Sequence, residues 1–190
     1  MDLSIVISLY NEEESLRELI EWIRKAISES YLKDKEYEII MINDGSTDGS
    51  WKEIETLAKE DEHIRAISFR RNYGKSAALF EGFKAAQGDV VVTMDADLQD
   101  DVQAIVEMTE RFNEGTDIVY GVRKERKTDT FFKKHTAQAF YKLMQTMGGD
   151  VVYNHADFRL MSKRALQALV AHPERNLFLR GIVRSLGYPS

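Results

Sequence analysis

The 190-residue sequence contains no cysteine. That excludes a disulfide framework and a thiolate metal site, and it fits a reducing compartment. It has no basic excess: 26 lysines and arginines face 32 aspartates and glutamates, a net charge of −6. Nucleic-acid binders carry the opposite imbalance, so no nucleic-acid partner is expected. No apolar run approaches the ~20 residues that a membrane-spanning helix needs. No basic region precedes Leu3, so there is no signal-peptide pattern. A phosphate-binding Gly-x-x-x-x-Gly-Lys loop and a Gly-x-Gly-x-x-Gly turn are both missing, which leaves ATPase and dinucleotide readings without support. The four histidines show no metal-ligand spacing and read as structural or surface residues. There is no internal repeat, linker or low-complexity segment. The chain stops abruptly at Gly187-Tyr188-Pro189-Ser190, which gives the expectation of a single domain over 1–190 cut from a longer chain.

What is present has the composition of a globular domain, 43% apolar and 31% charged. The length suffices for one α/β unit with a sizeable core. Leu3–Leu9 reads as a buried strand, and residues 37–42, 64–69 and 90–95 read as three more. Leu16, Leu19, Ile20, Ile23 and Ile27 recur with a helical period. Trp51, Ile54, Leu57 and Ala58 mark a second helix, and small residues over 76–86 a third, ended by Gly88. Asn11 is expected to cap the first helix, with the acidic run Glu12-Glu13-Glu14 in its first turn. This alternation predicts βαβ units, a mostly parallel sheet and right-handed crossovers. Beyond Asp100, a helix (Val102, Ile105, Val106, Phe112) precedes a fifth strand over 117–121. A charged loop over 123–130 and a helix over 132–147 come next. A short strand over 157–161, a helix over 164–170 capped by Ser162 and a last helix over 177–186 complete the reading.

In open sheets of this kind ligands bind beyond the carboxyl ends of the strands. Polar clusters at Asn11, Asp44, Asn72 and Asp95 each follow a strand, so they should meet on one edge. The central stretch is Val90-Val91-Val92-Thr93-Met94-Asp95-Ala96-Asp97-Leu98-Gln99-Asp100. Residues two apart on an extended segment point to the same side, so Asp95 and Asp97 can converge. Two carboxylates that close destabilise each other unless a cation lies between them. Hard oxygen ligands at that spacing suit Mg²⁺ or Mn²⁺, typically shared with a diphosphate. Gln99, two residues further on, offers a third oxygen. A solvated acidic turn would carry the same letters.

Three segments in order carry a family resemblance: Ile7-Ser8-Leu9-Tyr10-Asn11-Glu12-Glu13, Asn43-Asp44-Gly45-Ser46-Thr47-Asp48 and Met94-Asp95-Ala96-Asp97-Leu98-Gln99-Asp100. Together they resemble the inverting family 2 glycosyltransferases of GT-A fold. Tyr120-Gly121-Val122-Arg123, Asp157-Phe158-Arg159-Leu160-Met161-Ser162 and Glu174-Arg175-Asn176-Leu177-Phe178-Leu179-Arg180-Gly181 resemble the polyprenyl-phosphate branch, the dolichol-phosphate-mannose-synthase-like enzymes. The resemblance covers nearly the whole chain. It implies an α/β domain with helices on both sides of a mostly parallel sheet, a nucleotide-sugar donor and a divalent metal.

Residue by residue, the resemblance implies a nucleotide-binding set of Ser8, Tyr10, Asn11, Glu12, Asp44, Lys75, Asp95, Ala96 and Asp97. Asp44 matches the residue that reads the base; Asp-Gly-Ser-Thr-Asp-Gly is equally good turn chemistry. Ser8 stands where the family often has proline. Lys75, after Gly74 and before a helix, is placed to meet diphosphate. Asp95, Asp97 and Gln99 form the metal set, and Asp95, Asp97 and Asp157 the catalytic set. Arg123, Lys133, Lys134 and Arg159 are candidates for an acceptor phosphate, a task for which arginine's bidentate geometry is suited.

A phosphate acceptor alters the chemistry. A sugar hydroxyl needs a general base, whereas a phosphomonoester oxygen is already ionised. Asp157 is then either an optional base or an organiser of Arg159. The expected activity is metal-dependent transfer of a sugar to a polyprenyl phosphate with inversion at the anomeric carbon. The alternatives are transfer to a sugar hydroxyl, a phosphatase using Asp95 as nucleophile, and a non-catalytic nucleotide-sugar-binding module. Leu98 replaces the Thr or Val that a phosphatase would show after the second aspartate. A lipid acceptor must be met at a bilayer, so a cytoplasmic location at the inner membrane face is expected. Leu177, Phe178, Ile182, Val183 and Leu186, with Arg175, Arg180 and Arg184 nearby, form an apolar stripe that suits either an interfacial helix or a buried one.

Overall fold

Leu3–Leu9 forms the first strand, β1, and all seven residues are buried. A strand covered on both faces shows this continuous burial, as in parallel sheets flanked by helices on either side. A computed structural model of the chain describes residues 1–122, 155–172 and 179–190. The loop expected over 123–130, the helix expected over 132–147, and Arg123, Lys133, Lys134, Arg175, Leu177 and Phe178 lie outside the described residues. The remaining strands are β2 (Tyr37–Asn43), β3 (Ile64–Ser68), β4 (Val90–Asp95), β5 (Ile118–Val122) and β6 (His155–Ser162). The sheet order is β3-β2-β1-β4-β6-β5. The first four strands run parallel, and β6 is antiparallel to both β4 and β5.

The helices are α1 (Leu16–Ser28), α2 (Ser50–Glu60), α3 (Lys75–Ala85), α4 (Gln103–Asn113), α5 (Lys163–Val170) and α6 (Leu179–Ser185). Side chains alternate across a strand, and the two faces of the sheet sort accordingly. Ile5 and Ile7 meet Leu19 and Ile23 of α1, Ile54 of α2 and Ile105 of α4 in one core layer. Val6, Ile40 and Val91 meet Leu79 and Phe83 of α3, Leu166 of α5 and Ile182 of α6 in the other. Gly82 lets α3 lie close on the sheet, because a Cβ there would stand 2.4 Å from Val6 Cγ1. That close seat brings the start of α3, Lys75, over the ends of the strands.

Three expectations need correction, and one open alternative is decided. Asn11 does not cap α1: the helix begins five residues later, with Ser15 at its N-cap position, and Asn11 has a left-handed φ of 57°. Gly88 does not terminate α3, which ends at Ala85 with Ala86 extended. Gly88 is needed because a Cβ would stand 2.6 Å from Ser4 N. The strand expected over 157–161 is longer and antiparallel. The apolar stripe of the last helix faces inward: Leu179, Ile182 and Val183 are buried in the core, so the buried alternative holds for the described part.

Glu38 fastens the turn between α3 and β4 to the middle of the sheet. It is buried, and its carboxylate accepts from Ser4 Oγ at 2.7 Å, Arg65 Nη1 at 2.5 Å and Gln87 N at 2.7 Å. Burial pushes its pKa up, but hydrogen bonds from Ser4, Arg65 and Gln87 outweigh that and hold it below the ordinary 4.5. A depressed carboxylate stabilises the fold above the unfolded pKa and loses that contribution as pH falls through the folded one. Glu38→Gln is therefore expected to lower stability by about 1–3 kcal/mol near neutral pH, the scale of an unsatisfied buried group. Denaturant titrations across pH check this: the gap from wild type should narrow in acid, and a constant gap would show that the charge of Glu38 contributes nothing.

Candidate active site

The carboxyl ends of β1, β2 and β4 line up because of the sheet register, which sets Leu9 opposite Asn43 and Ser8 opposite Asp95. The loops that leave those ends are tied to one another. Asn11 N donates to Ser46 Oγ at 2.9 Å, and Asn11 Oδ1 accepts from Thr47 N at 2.8 Å. Asparagine tolerates the left-handed backbone that this bridge requires. Glu12 N donates to Ser50 Oγ at 2.9 Å, and Glu13 Oε2 accepts from Gly49 N at 2.9 Å. Asp44, buried at the end of β2, accepts from Tyr73 N at 2.7 Å and Gly74 N at 2.9 Å, so it sets the loop before α3. Gly45, at φ 71°, lies beneath that loop; a Cβ there would stand 2.3 Å from the Arg71 carbonyl carbon.

These loops enclose a cleft of about 310 Å³ lined by Ser8, Leu9, Tyr10, Glu12, Asp44, Asn72, Gly74, Lys75, Asp95, Ala96 and Asp97. Every residue of the expected nucleotide set except Asn11 lines it, and Asn11 instead holds two loops together. Asn72, expected at this edge, joins the wall, together with Leu9 and Gly74, which were not singled out. Tyr10 presents its ring at the rim, 44% exposed. Ser8 Oγ is buried with no hydrogen-bond partner.

Asp95 closes β4, Ala96 turns into the core and Asp97 returns to the cleft. Alternation thus carries both aspartates to one side. It stops there: Leu98 has φ 58°, and Gln99 N donates to Asp97 Oδ1 at 3.1 Å. The chain has left the extended state, so Gln99 is not among the residues lining the cleft. Asp100, which sequence reasoning quoted but gave no role, is buried, and its Oδ2 accepts from Asp95 N at 3.1 Å. It pins the turn that presents the two aspartates.

Lys75 Nζ stands 2.5 Å from Asp95 Oδ1 and 3.0 Å from Asp157 Oδ2. Asp157 Oδ1 accepts from Arg159 Nη2 at 2.8 Å. A row of alternating charges, Asp95–Lys75–Asp157–Arg159, therefore crosses from β4 to β6. Thr93 Oγ1 donates to the Asp157 carbonyl and fixes that strand crossing. Arg159 is only 2% exposed and does not line the cleft, so its placement fits an anchor for Asp157 better than an acceptor-phosphate ligand. Burial works to lower the Lys75 pKa, but the hydrogen bond and charge of Asp95, then those of Asp157, outweigh it and raise it. The ammonium keeps its proton.

Among the described residues, no group of three or more His, Cys, Asp or Glu side chains is arranged to hold a metal ion alone. Asp95 and Asp97 supply two hard oxygen donors on one wall, and Asp95 already holds a cation in the Lys75 ammonium. That donor set fits a divalent ion whose remaining ligands come from a diphosphate or water.

The chain matches the model of glycosyl transferase family 2 over residues 4–170. It is 42% identical over 193 aligned positions to the glycosyltransferase YkoT of Bacillus subtilis (strain 168), covering 99% of this chain and 57% of that protein. It is 39% identical to the bactoprenol glucosyl transferase of Shigella phage SfV, covering 98% of this chain and 60% of that protein. The chain thus spans less than two thirds of these relatives. In fold it is similar to the mannosyltransferase PcManGT from Pyrobaculum calidifontis, solved with GDP-Man and Mn²⁺, with a TM-score of 0.68 and 16% identity over 98% of this chain and 53% of that one.

The acidity of the cleft has a measurable sign at Glu12. Burial raises its pKa above the ordinary 4.5; a hydrogen bond from Ser15 opposes this, and the charges of Asp97, Asp48 and Asp95 add to the rise. A raised carboxyl contributes its stability below the unfolded pKa and loses it as pH climbs through the folded one. Glu12→Gln is expected to melt above wild type near neutral pH in metal-free buffer and level with it below pH 4.5. Melting curves at both ends check this, and a variant less stable than wild type at neutral pH would show that Glu12 is held by favourable contacts instead.

Proposed function

This chain belongs to glycosyl transferase family 2, and we propose that it moves a sugar from a nucleotide-sugar to a polyprenyl phosphate, using a divalent cation held by Asp95 and Asp97. The observation that carries this reading is the convergence of both carboxylates on one cleft beyond the strand ends, with a cation already seated on Asp95. Mg²⁺ or Mn²⁺ bound there would offset charge on the departing nucleoside diphosphate. Support for the metal comes from the donor set and from the Mn²⁺ in the similar mannosyltransferase structure.

The chain's own residues divide the work. Tyr10 offers a ring face to the base, Asp44 an acceptor beside it, and Lys75 an ammonium within reach of the diphosphate. Ser8 Oγ awaits a polar partner from the donor. Attack by the acceptor on the face opposite the leaving group inverts the anomeric carbon. An ionised phosphate oxygen forms the new bond without giving up a proton, so no side chain has to act as base. Asp157 suits that economy: both its carboxylate oxygens already bond cations, Lys75 and Arg159. Similarity to the bactoprenol glucosyl transferase of the phage supports the lipid acceptor. Among the described residues no helix is long and apolar enough to cross a membrane. A polyprenyl chain is too apolar to travel through water, so the proposed acceptor is met at a bilayer surface, and we infer that the reaction runs at its cytoplasmic face.

Transfer assays in detergent, with nucleotide-sugars, short- and long-chain prenyl phosphates and added Mn²⁺, test this. Wild type should label prenyl phosphate and stop when the metal is chelated. Asp97→Ala should keep its melting temperature and lose about 100-fold or more in rate, the scale for removing one stabiliser of developing charge. Undiminished transfer under chelation would remove the metal. Efficient labelling of a water-soluble sugar, with prenyl phosphates ignored, would replace the lipid acceptor by a hydroxyl.

A further inference from the structure

We propose that Lys75 is a resident counter-cation: it occupies Asp95 when the cleft holds no divalent ion, and it must give up that carboxylate for the ion to bind. The inference rests on the metal reading above and concerns how that same site is regulated. Three observations carry it. The ammonium is 2.5 Å from Asp95 Oδ1, a close ion pair. The second contact, 3.0 Å to Asp157 Oδ2, lies on another strand, β6. Lys75 can therefore release Asp95 and still be paired. The lysine's root is fixed and its side chain reaches both carboxylates. Gly74 N is anchored on Asp44, and the Lys75 side chain lines the cleft with 39% of its surface exposed.

A small divalent ion such as Mg²⁺ binds a carboxylate oxygen at about 2.0–2.1 Å. An ammonium on the same carboxylate would then face it at close range, and like charges that near repel strongly in a half-buried site. Two cations thus compete for one ligand. Metal alone must expel the lysine and should bind weakly. A nucleoside diphosphate changes the balance, since its phosphates give the displaced ammonium an anionic partner while supplying further oxygens to the metal. Metal and nucleotide then strengthen each other's binding, and by linkage the effect is reciprocal. In the free protein Asp95 is balanced by an internal ion pair, and the cleft loads metal and nucleotide together.

The test is calorimetric titration of Mn²⁺ into the protein, with and without UDP or GDP, for wild type, Lys75→Met, Lys75→Gln and the charge-conserving Lys75→Arg. Without nucleotide, the two neutral variants should bind Mn²⁺ about tenfold more tightly than wild type, within the usual range of coupling between sites. With nucleoside diphosphate the gain should shrink or reverse, and Lys75→Arg should stay near wild type throughout. Mn²⁺ affinity in both neutral variants equal to or below that of wild type would overturn the exchange and leave the metal site standing. No Mn²⁺ binding by wild type, even with nucleoside diphosphate present, would overturn the metal reading and this inference with it.

Discussion

The register of β1 against its two neighbours is the constraint on which the site depends. Because β1 pairs in parallel with both β2 and β4, the residues that follow the three strands emerge on one edge. A slip of one residue would turn every side chain of a strand to the opposite face. Ile5 and Ile7 would then trade layers with Ser4 and Val6, and Ser8 would leave the cleft. The two core layers therefore do more than stabilise. By fixing which residues point up and which down, they decide that Asp44, Asp95 and Asp97 share a wall.

That convergence has an electrostatic consequence. Asp44, Asp48, Asp95 and Asp97 crowd the strand ends, and the pKa of Glu12, raised first by burial, is pushed further up by the charges of Asp97, Asp48 and Asp95. The fold answers in two ways. Backbone N–H groups bond several of these carboxylates: Tyr73 and Gly74 donate to Asp44, Ser50 and Glu13 to Asp48, and Gln99 to Asp97. Asp95 is answered by a side-chain ammonium instead. The first kind of partner is built into the loops and permanent. The second is a tethered cation on a flexible stem, and only that kind can be exchanged for a ligand.

Much of this could be read in the sequence where the signal is local. Continuous apolar runs gave the buried strands, and helical periods gave α1, α2 and α4, since burial and period are properties of neighbouring residues. The polar letters after each strand gave most of the cleft wall. The errors cluster where the deciding contact is remote or the backbone departs from its extended form. Asn11 looks like a cap, but its partner Thr47 lies 36 residues away. Gly88 looks like a helix stop, yet the need is room beside Ser4, visible only once β1 and β4 pair. Gln99 is not among the residues lining the cleft, because Leu98 takes a left-handed conformation that leucine seldom adopts. Arg159 carries the right chemistry for phosphate, and nothing in its neighbourhood of the sequence says that β6 will bury it. An amphipathic stripe such as that of α6 shows that a face is covered without showing by what.

Asp157 shows how placement narrows a choice that residue type leaves open. An aspartate near a transfer site suits a base, and a hydroxyl acceptor would require one. Here the carboxylate is spanned by Lys75 on one oxygen and Arg159 on the other, and its carbonyl accepts from Thr93. A group held at three points keeps its position well and has little freedom to follow a moving proton. Its position is also what keeps Lys75 in the cleft once Asp95 is taken by another cation. The same residue therefore links two features of the proposed reaction: an acceptor that arrives already ionised, and a lysine that can change partners without leaving the site.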